Sequence, residues 1–135
     1  MTDEQAMQQK FVEYQLLQQH IESVQQQLQA LNHQSSELSN LKEALSNLNN
    51  SKSDQESFSQ VGPGIFVKST VKETKEVLFN VGANVLVNKK TPDAVLSVED
   101  QEKEISNSIT ELEDQAKKII SRIMQLQEEI QKLKK

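Results

Sequence analysis

From Tyr14 to Leu31 apolar residues return at alternating steps of three and four, the rhythm of a coiled-coil seam. One series is Met7, Tyr14, Ile21 and Leu28; the other is Leu17, Val24, Leu31, Leu38 and Leu45. Ser35 takes the next place in the first series and interrupts it. The seam then resumes as Leu38, Leu41, Leu45 and Leu48. The steps Ser35 to Leu38 and Leu38 to Leu41 are both of three residues, which predicts a stammer, a local overwinding of the supercoil. A helix is therefore expected from about Thr2 to Leu48, on the order of 60–70 Å long from the helical rise. Thr2 and Gln5 are suited to a capping box at its start.

A second seam occupies the other end of the chain. Val98, Ile105, Leu112, Ile119, Leu126 and Leu133 form one series; Ile109, Ala116, Ile123 and Ile130 form the other. From Ile105 to Leu133 the alternation does not miss once. Thr91, Pro92 and Asp93 make a good helix start: a cap, a first-turn proline and an acid at the positive dipole end. Glu99–Lys103, Glu113–Lys117, Asp114–Lys118 and Glu128–Lys132 are acid-to-base pairs four apart.

Between the helices the period changes from 3.5 to two. Asn47–Ser59 is rich in Asn and Ser and reads as a linker. Ile65, Val67 and Val71 then alternate with Phe66, Lys68 and Thr70. Val77, Phe79 and Val81 alternate with Leu78 and Asn80, and Val85 and Val87 flank Leu86. Three short strands are expected, with a fourth at Ser57–Val61, and turns at Gly62–Gly64, Glu73–Thr74 and Gly82–Asn84. Both strand faces carry apolar residues, and so short a sheet cannot bury both within one chain. Strands from several subunits are expected to close a shared barrel. The residues expected to make that contact are Val61, Ile65, Phe66, Val67, Val77, Leu78, Phe79, Val81, Val85, Leu86 and Val87. The fold class is thus α+β: a long antiparallel coiled-coil hairpin with a small β-hairpin region that assembles into an intersubunit β-barrel. Its segments are 1–50, 51–92 and 93–135, within one domain.

Composition narrows the function. In 135 residues only 35% are apolar and 4% aromatic, which favours an elongated or oligomeric molecule over a compact globule. There is no Cys, and a cytoplasmic location fits. No apolar run is long enough to span a membrane, and the opening residues lack the pattern of a signal peptide. The net charge of −5 argues against a general nucleic-acid binder. Residues 1–50 alone carry −4 and eleven Gln lie between Gln5 and Gln34, so the first helix has a polar, mostly uncharged face.

Chemistry-bearing patterns are weak. His20 and His33 are thirteen apart, too far for a helical metal pair. Gly62–Ser69 half-mimics a phosphate loop, but Val67 stands where the second glycine is needed. No cofactor and no enzymatic activity are expected. An antiparallel coiled coil also occurs in polymerase-channel factors, but those need acidic residues at a short helix–helix tip; here about 45 residues with strands join the helices.

The stretches Val61–Val67 and Val77–Val87, followed by Lys89–Lys90 and Asp93–Ala94, resemble prefoldin subunits of the alpha class, as does Glu13–Leu17 in the first helix. The sequence departs from the family in having Phe58-Ser59-Gln60-Val61 before the first turn, and Asn84 where the second turn usually has a glycine. Asn tolerates positive φ, so that turn is expected to survive. The resemblance implies an ATP-independent holdase in which two alpha-class and four beta-class subunits share a platform of β-barrels. It further implies coiled-coil tips that hold non-native client proteins and deliver them to a group II chaperonin. The candidate client-binding residues are Met7, Phe11, Tyr14, Leu16 and Leu17 on the first helix, with Ile123, Leu126, Ile130 and Leu133 on the second. Phe11 and Leu16 lie outside the heptad series and are expected to be exposed. The acidic first segment is expected to help a tip meet a basic chaperonin surface. The alternative is a coiled-coil scaffold or tether without chaperone activity.

Overall fold

The computed structural model of the chain describes residues 3–134. Two long helices, α1 (Asp3–Asn49) and α2 (Thr91–Lys134), flank four strands: β1 (Gln55–Gly62), β2 (Ile65–Val71), β3 (Glu76–Asn80) and β4 (Leu86–Lys90). The expected capping residue Thr2 lies outside the described residues. The strands pair antiparallel as two separate two-stranded sheets, β1–β2 and β3–β4, and no barrel closes among the described residues.

The chain forms two compact units, Ser36–Lys103 and the described residues of Met1–Ser35 with Glu104–Lys135. The first unit has a core of Leu45, Ala94 and Val98, onto which Leu38, Val77, Phe79 and Val95 pack. The second is a coiled coil in which Val24, Ile119, Leu126 and Ile130 are buried.

The fourth strand is real and longer than expected. α1 runs on through Asn49 and β1 already begins at Gln55, so of the predicted linker only residues 50–54 remain between α1 and the sheet. Its serines are not out of place there. In the pairing Ser57 faces Ser69 and Ser59 faces Val67, and the Ser69 hydroxyl lies 3.1 Å from that of Ser57 and 2.7 Å from that of Ser59. Between β1 and β2, Pro63 and Gly64 form the turn, with Gly64 at φ 73, the type II arrangement. The register shifts between Gln60 and Gly62, which makes Val61 a β-bulge. In the second hairpin β3 starts and ends one residue earlier than expected, and β4 starts one residue later. Val85 belongs to its turn, where its N–H donates to Gly82 O at 2.9 Å. Gly82, Ala83 and Asn84 all have positive φ, so Asn84 does adopt the left-handed conformation.

The stammer is absent. Leu31, Ser35, Leu38, Lys42 and Leu45 are all buried or half-buried, whereas Leu41 is 44% exposed. The spacing 31, 35, 38, 42, 45 keeps the four-three alternation. Periodicity therefore outweighs hydropathy: a serine and a lysine occupy seam places, and Leu41 points away.

Three passages of the chain meet at two buried threonines. Thr74 Oγ1 donates to Ser51 O at 3.3 Å, and Thr91 Oγ1 donates to Thr74 O at 2.8 Å. Thr91 N donates to Lys75 O at 2.8 Å, and the Lys75 ammonium donates to Asn49 O at the end of α1. α1 has no base in its own last turn; Lys75 supplies that charge from the β2–β3 link. Thr91 thus starts α2 with its hydroxyl directed to the Thr74 carbonyl. Replacing Thr91 with Val keeps the shape but leaves that carbonyl unpaired in a buried place. The change should cost about 1–3 kcal/mol in urea unfolding, and Thr91→Ser clearly less.

Candidate functional site

Two surfaces gather the candidate residues. The first lies on the hairpins. Val61, Ile65, Phe66 and Val67 are exposed on the first, and Leu78, Val81, Val85 and Leu86 on the second. Register separates these from the inner set. Phe79 pairs with Val87, and Val77 with Lys89, on one face of β3–β4. Val77 and Phe79 pack on the helices from that face, with the Lys89 ammonium 4.6 Å from the Phe79 ring centroid and 2.8 Å from Ser97 Oγ. Val77 and Phe79 therefore serve the chain's own core, and Val87 is half-buried beside them. Leu78 and Leu86 stand on the opposite face, open to solvent. Sequence reasoning missed Phe58. It is 67% exposed on β1 and diagonal to Phe66 across the first hairpin. Its signal was a lone aromatic within a Ser-rich run.

The second surface lies in the coiled coil, where both ends of the chain meet. Lys10 Nζ and Glu129 Oε2 are 2.6 Å apart. Arg122 donates through Nε and Nη2 to the two Glu13 oxygens, at 2.7 and 3.1 Å. Gln127 Nε2 donates to the Tyr14 hydroxyl at 3.1 Å. Arg122 holds the Glu13 carboxyl below the usual range, and Lys10 does the same for Glu129. These links keep the helices together almost to their ends.

The client-binding candidates therefore divide. Leu126 is wholly buried and Ile130 nearly so: the apolar seam covers both, and only an edge of Ile130 reaches the surface. Met7, Tyr14, Leu17, Ile123 and Leu133 are half-buried seam residues. Phe11 and Leu16 are exposed, Leu16 at 60%. Val12 and Met124, not anticipated from the sequence, are exposed with them. Val12 is one helical turn before Leu16, and Met124 directly follows the seam residue Ile123; an off-seam apolar residue beside a seam was the available signal. Phe11, Tyr14, Met124 and Ile130 line an open cleft of about 540 Å³, with Gln127, Glu128, Gln131 and Lys134 around it. The Lys134 ammonium is 5.9 Å from the Phe11 ring centroid.

Among the described residues there is no cluster of His, Cys, Asp or Glu that could hold a metal ion, and no helix long and apolar enough to cross a membrane. The sequence profile of the prefoldin family, described as Prefoldin subunit, matches residues 17–135. The chain belongs to the prefoldin subunit family. Prefoldin is a chaperone family and not an enzyme family. The subunit is 33% identical over 57 residues to Prefoldin subunit alpha of Methanobrevibacter smithii. That match spans 42% of this chain and 39% of the relative's length. The fold is similar to that of a filamentous PFD from Methanocaldococcus jannaschii solved by cryo-electron microscopy. The TM-score is 0.75 at 19% identity, over 84% of this chain and 94% of the other. The alpha-class resemblance of the strand motifs thus agrees with the family and with the alpha-subunit relative.

The two ion pairs of this prefoldin subunit weaken in acid. Both carboxyls have lowered pKa values, so their contribution is present at neutral pH and is lost as pH falls through those lowered values. In a carboxyl-carbon NMR titration, Glu13 and Glu129 should titrate below glutamates without such partners. Arg122→Gln should return Glu13 toward the ordinary range.

Proposed function

We propose that this prefoldin subunit is part of an ATP-independent holdase that captures non-native proteins on its coiled coil and delivers them to a group II chaperonin. The observation that carries this reading is the exposure of Phe11, Val12, Leu16 and Met124 on otherwise polar helices near the chain ends. Apolar side chains on a polar rod bind unfolded segments weakly and with little selectivity. Met124 adds a side chain that adapts to many shapes. The Gln-rich neighbours on α1 contribute no charge that would repel a client of either sign. Capture on this surface requires neither nucleotide nor metal, only apolar contact.

The hairpin surface supports the second half of the reading, assembly. Phe58, Phe66, Leu78 and Leu86 are too exposed to serve a lone subunit, and two-stranded sheets leave unpaired edges. Two copies of this chain with four beta-class subunits, closing β-barrels from these strands in the cytoplasm, would cover both.

The test is suppression of aggregation of a denatured client without ATP. The assembled wild-type complex should suppress it. Phe11→Ser with Leu16→Ser should leave the mass of the complex unchanged. Because a client then finds less apolar surface to cover, the concentration needed should rise about tenfold or more. No suppression by the wild-type complex would leave the scaffold reading in its place. Phe58→Ser with Phe66→Ser should instead reduce the complex to smaller species while α1 and α2 remain helical.

A further inference from the structure

The core unit contains one charged pair inside its coiled-coil seam. On α1 the seam runs Leu38, Lys42, Leu45, and on α2 it runs Val95, Val98, Glu102, with Ile105 next; all are buried or half-buried. Lys42 and Glu102 thus occupy places that the heptad otherwise gives to apolar residues. Lys42 Nζ lies 3.2 Å from Glu102 Oε1. That oxygen is fully buried and has no hydrogen-bond partner among the described residues, so the Lys42 ammonium is the compensation at hand for its charge. The two side chains keep 37% and 24% of their surface, enough to let the lysine stem pack while its head stays near water.

A leucine pair in the same place would bury more apolar area, and buried ion pairs are commonly no more stabilising than apolar residues of similar size. The pair is better suited to choosing between arrangements. Both helices carry apolar heptads that fit many partners. If α1 lies parallel and in register with α1 of another copy, Lys42 meets Lys42. If α2 does the same with α2, Glu102 meets Glu102. A slip of one heptad within the hairpin sets Lys42 against Val95 or Ile109 and leaves the Glu102 carboxylate without a cation. Only the observed α1–α2 register joins the two charges. We propose that Lys42 and Glu102 are a register lock: they specify that α1 pairs with α2 in this one alignment, rather than with a like helix or one heptad out of step.

The lock can be tested on the full-length chain, which has no cysteine of its own. Ala44→Cys and Glu99→Cys, both exposed, take spin labels for distance measurement. The otherwise unaltered chain should give a single narrow distance. Lys42→Glu and Glu102→Lys, taken singly, should each broaden it or add a second distance and lower the thermal midpoint. The two together should restore the single distance and most of the midpoint. Lys42→Leu with Glu102→Leu should remain helical but show more than one distance, or label-to-label coupling between copies. The proposal is overturned if the charge swap is no better than either single reversal, or if the leucine pair keeps the single original distance. Should the leucine pair fail to fold, the comparison of reversals with the swap decides by itself.

Discussion

An antiparallel pair of strands has two free edges, and only one of its faces can rest on the helices of its own chain. That constraint organises this protein. The inner face of β3–β4 is used: Val77 and Phe79 close the core formed by Leu45, Ala94 and Val98. The outer residues Leu78 and Leu86, and Phe58 and Phe66 on the first hairpin, are left more than half exposed by the described residues. The two hairpins do not cover one another's edges, because they form separate sheets. The proposed assembly with further subunits follows from this geometry, since foreign strands satisfy the edges and cover the faces together.

The coiled coil raises the opposite problem. Its seam is so regular that it must be prevented from pairing elsewhere, and it is shut so completely that Leu126 and Ile130 have almost no free surface. Polar groups manage both. Lys42 and Glu102 sit in the seam of the core unit. Lys10–Glu129 and Glu13–Arg122 fasten the seam where the chain ends meet. Such exposed pairs are individually weak. They hold a seam that apolar packing has already formed, and they leave the off-seam residues Phe11, Val12, Leu16 and Met124 to face solvent. Under the holdase reading, cohesion and capture are therefore divided between two faces of the same helices.

Much of this is legible in the sequence. The four-three spacing predicts both helices, and the switch to period two predicts the strands, though not that Val77 and Phe79 turn onto the chain's own helices. What fails does so for physical reasons. Leu41 is more apolar than Lys42, yet the seam passes through residue 42, because a lysine stem packs and its charge finds Glu102 only after folding. Part of β1 reads as a linker because Ser57 and Ser59 have little strand preference alone; their place depends on Ser69 across the ladder. Position alone puts Leu126 and Ile130 near an open tip, but the seam packs shut there, and cross-helix pairs separated by more than a hundred residues fasten it. None of these partnerships is local, so none can be read from a window of neighbouring residues. Phe11 and Leu16 are legible because being off the seam is a local property.

The central claim is that the exposed strand residues are covered by other subunits. The native mass of this chain, tagged and isolated from its own cells, tests it most directly. The account predicts a complex holding two copies of this chain with four copies of a second coiled-coil subunit. A lone chain or a simple dimer at the same concentration would contradict it, and would mean that the hairpin faces remain open in solution.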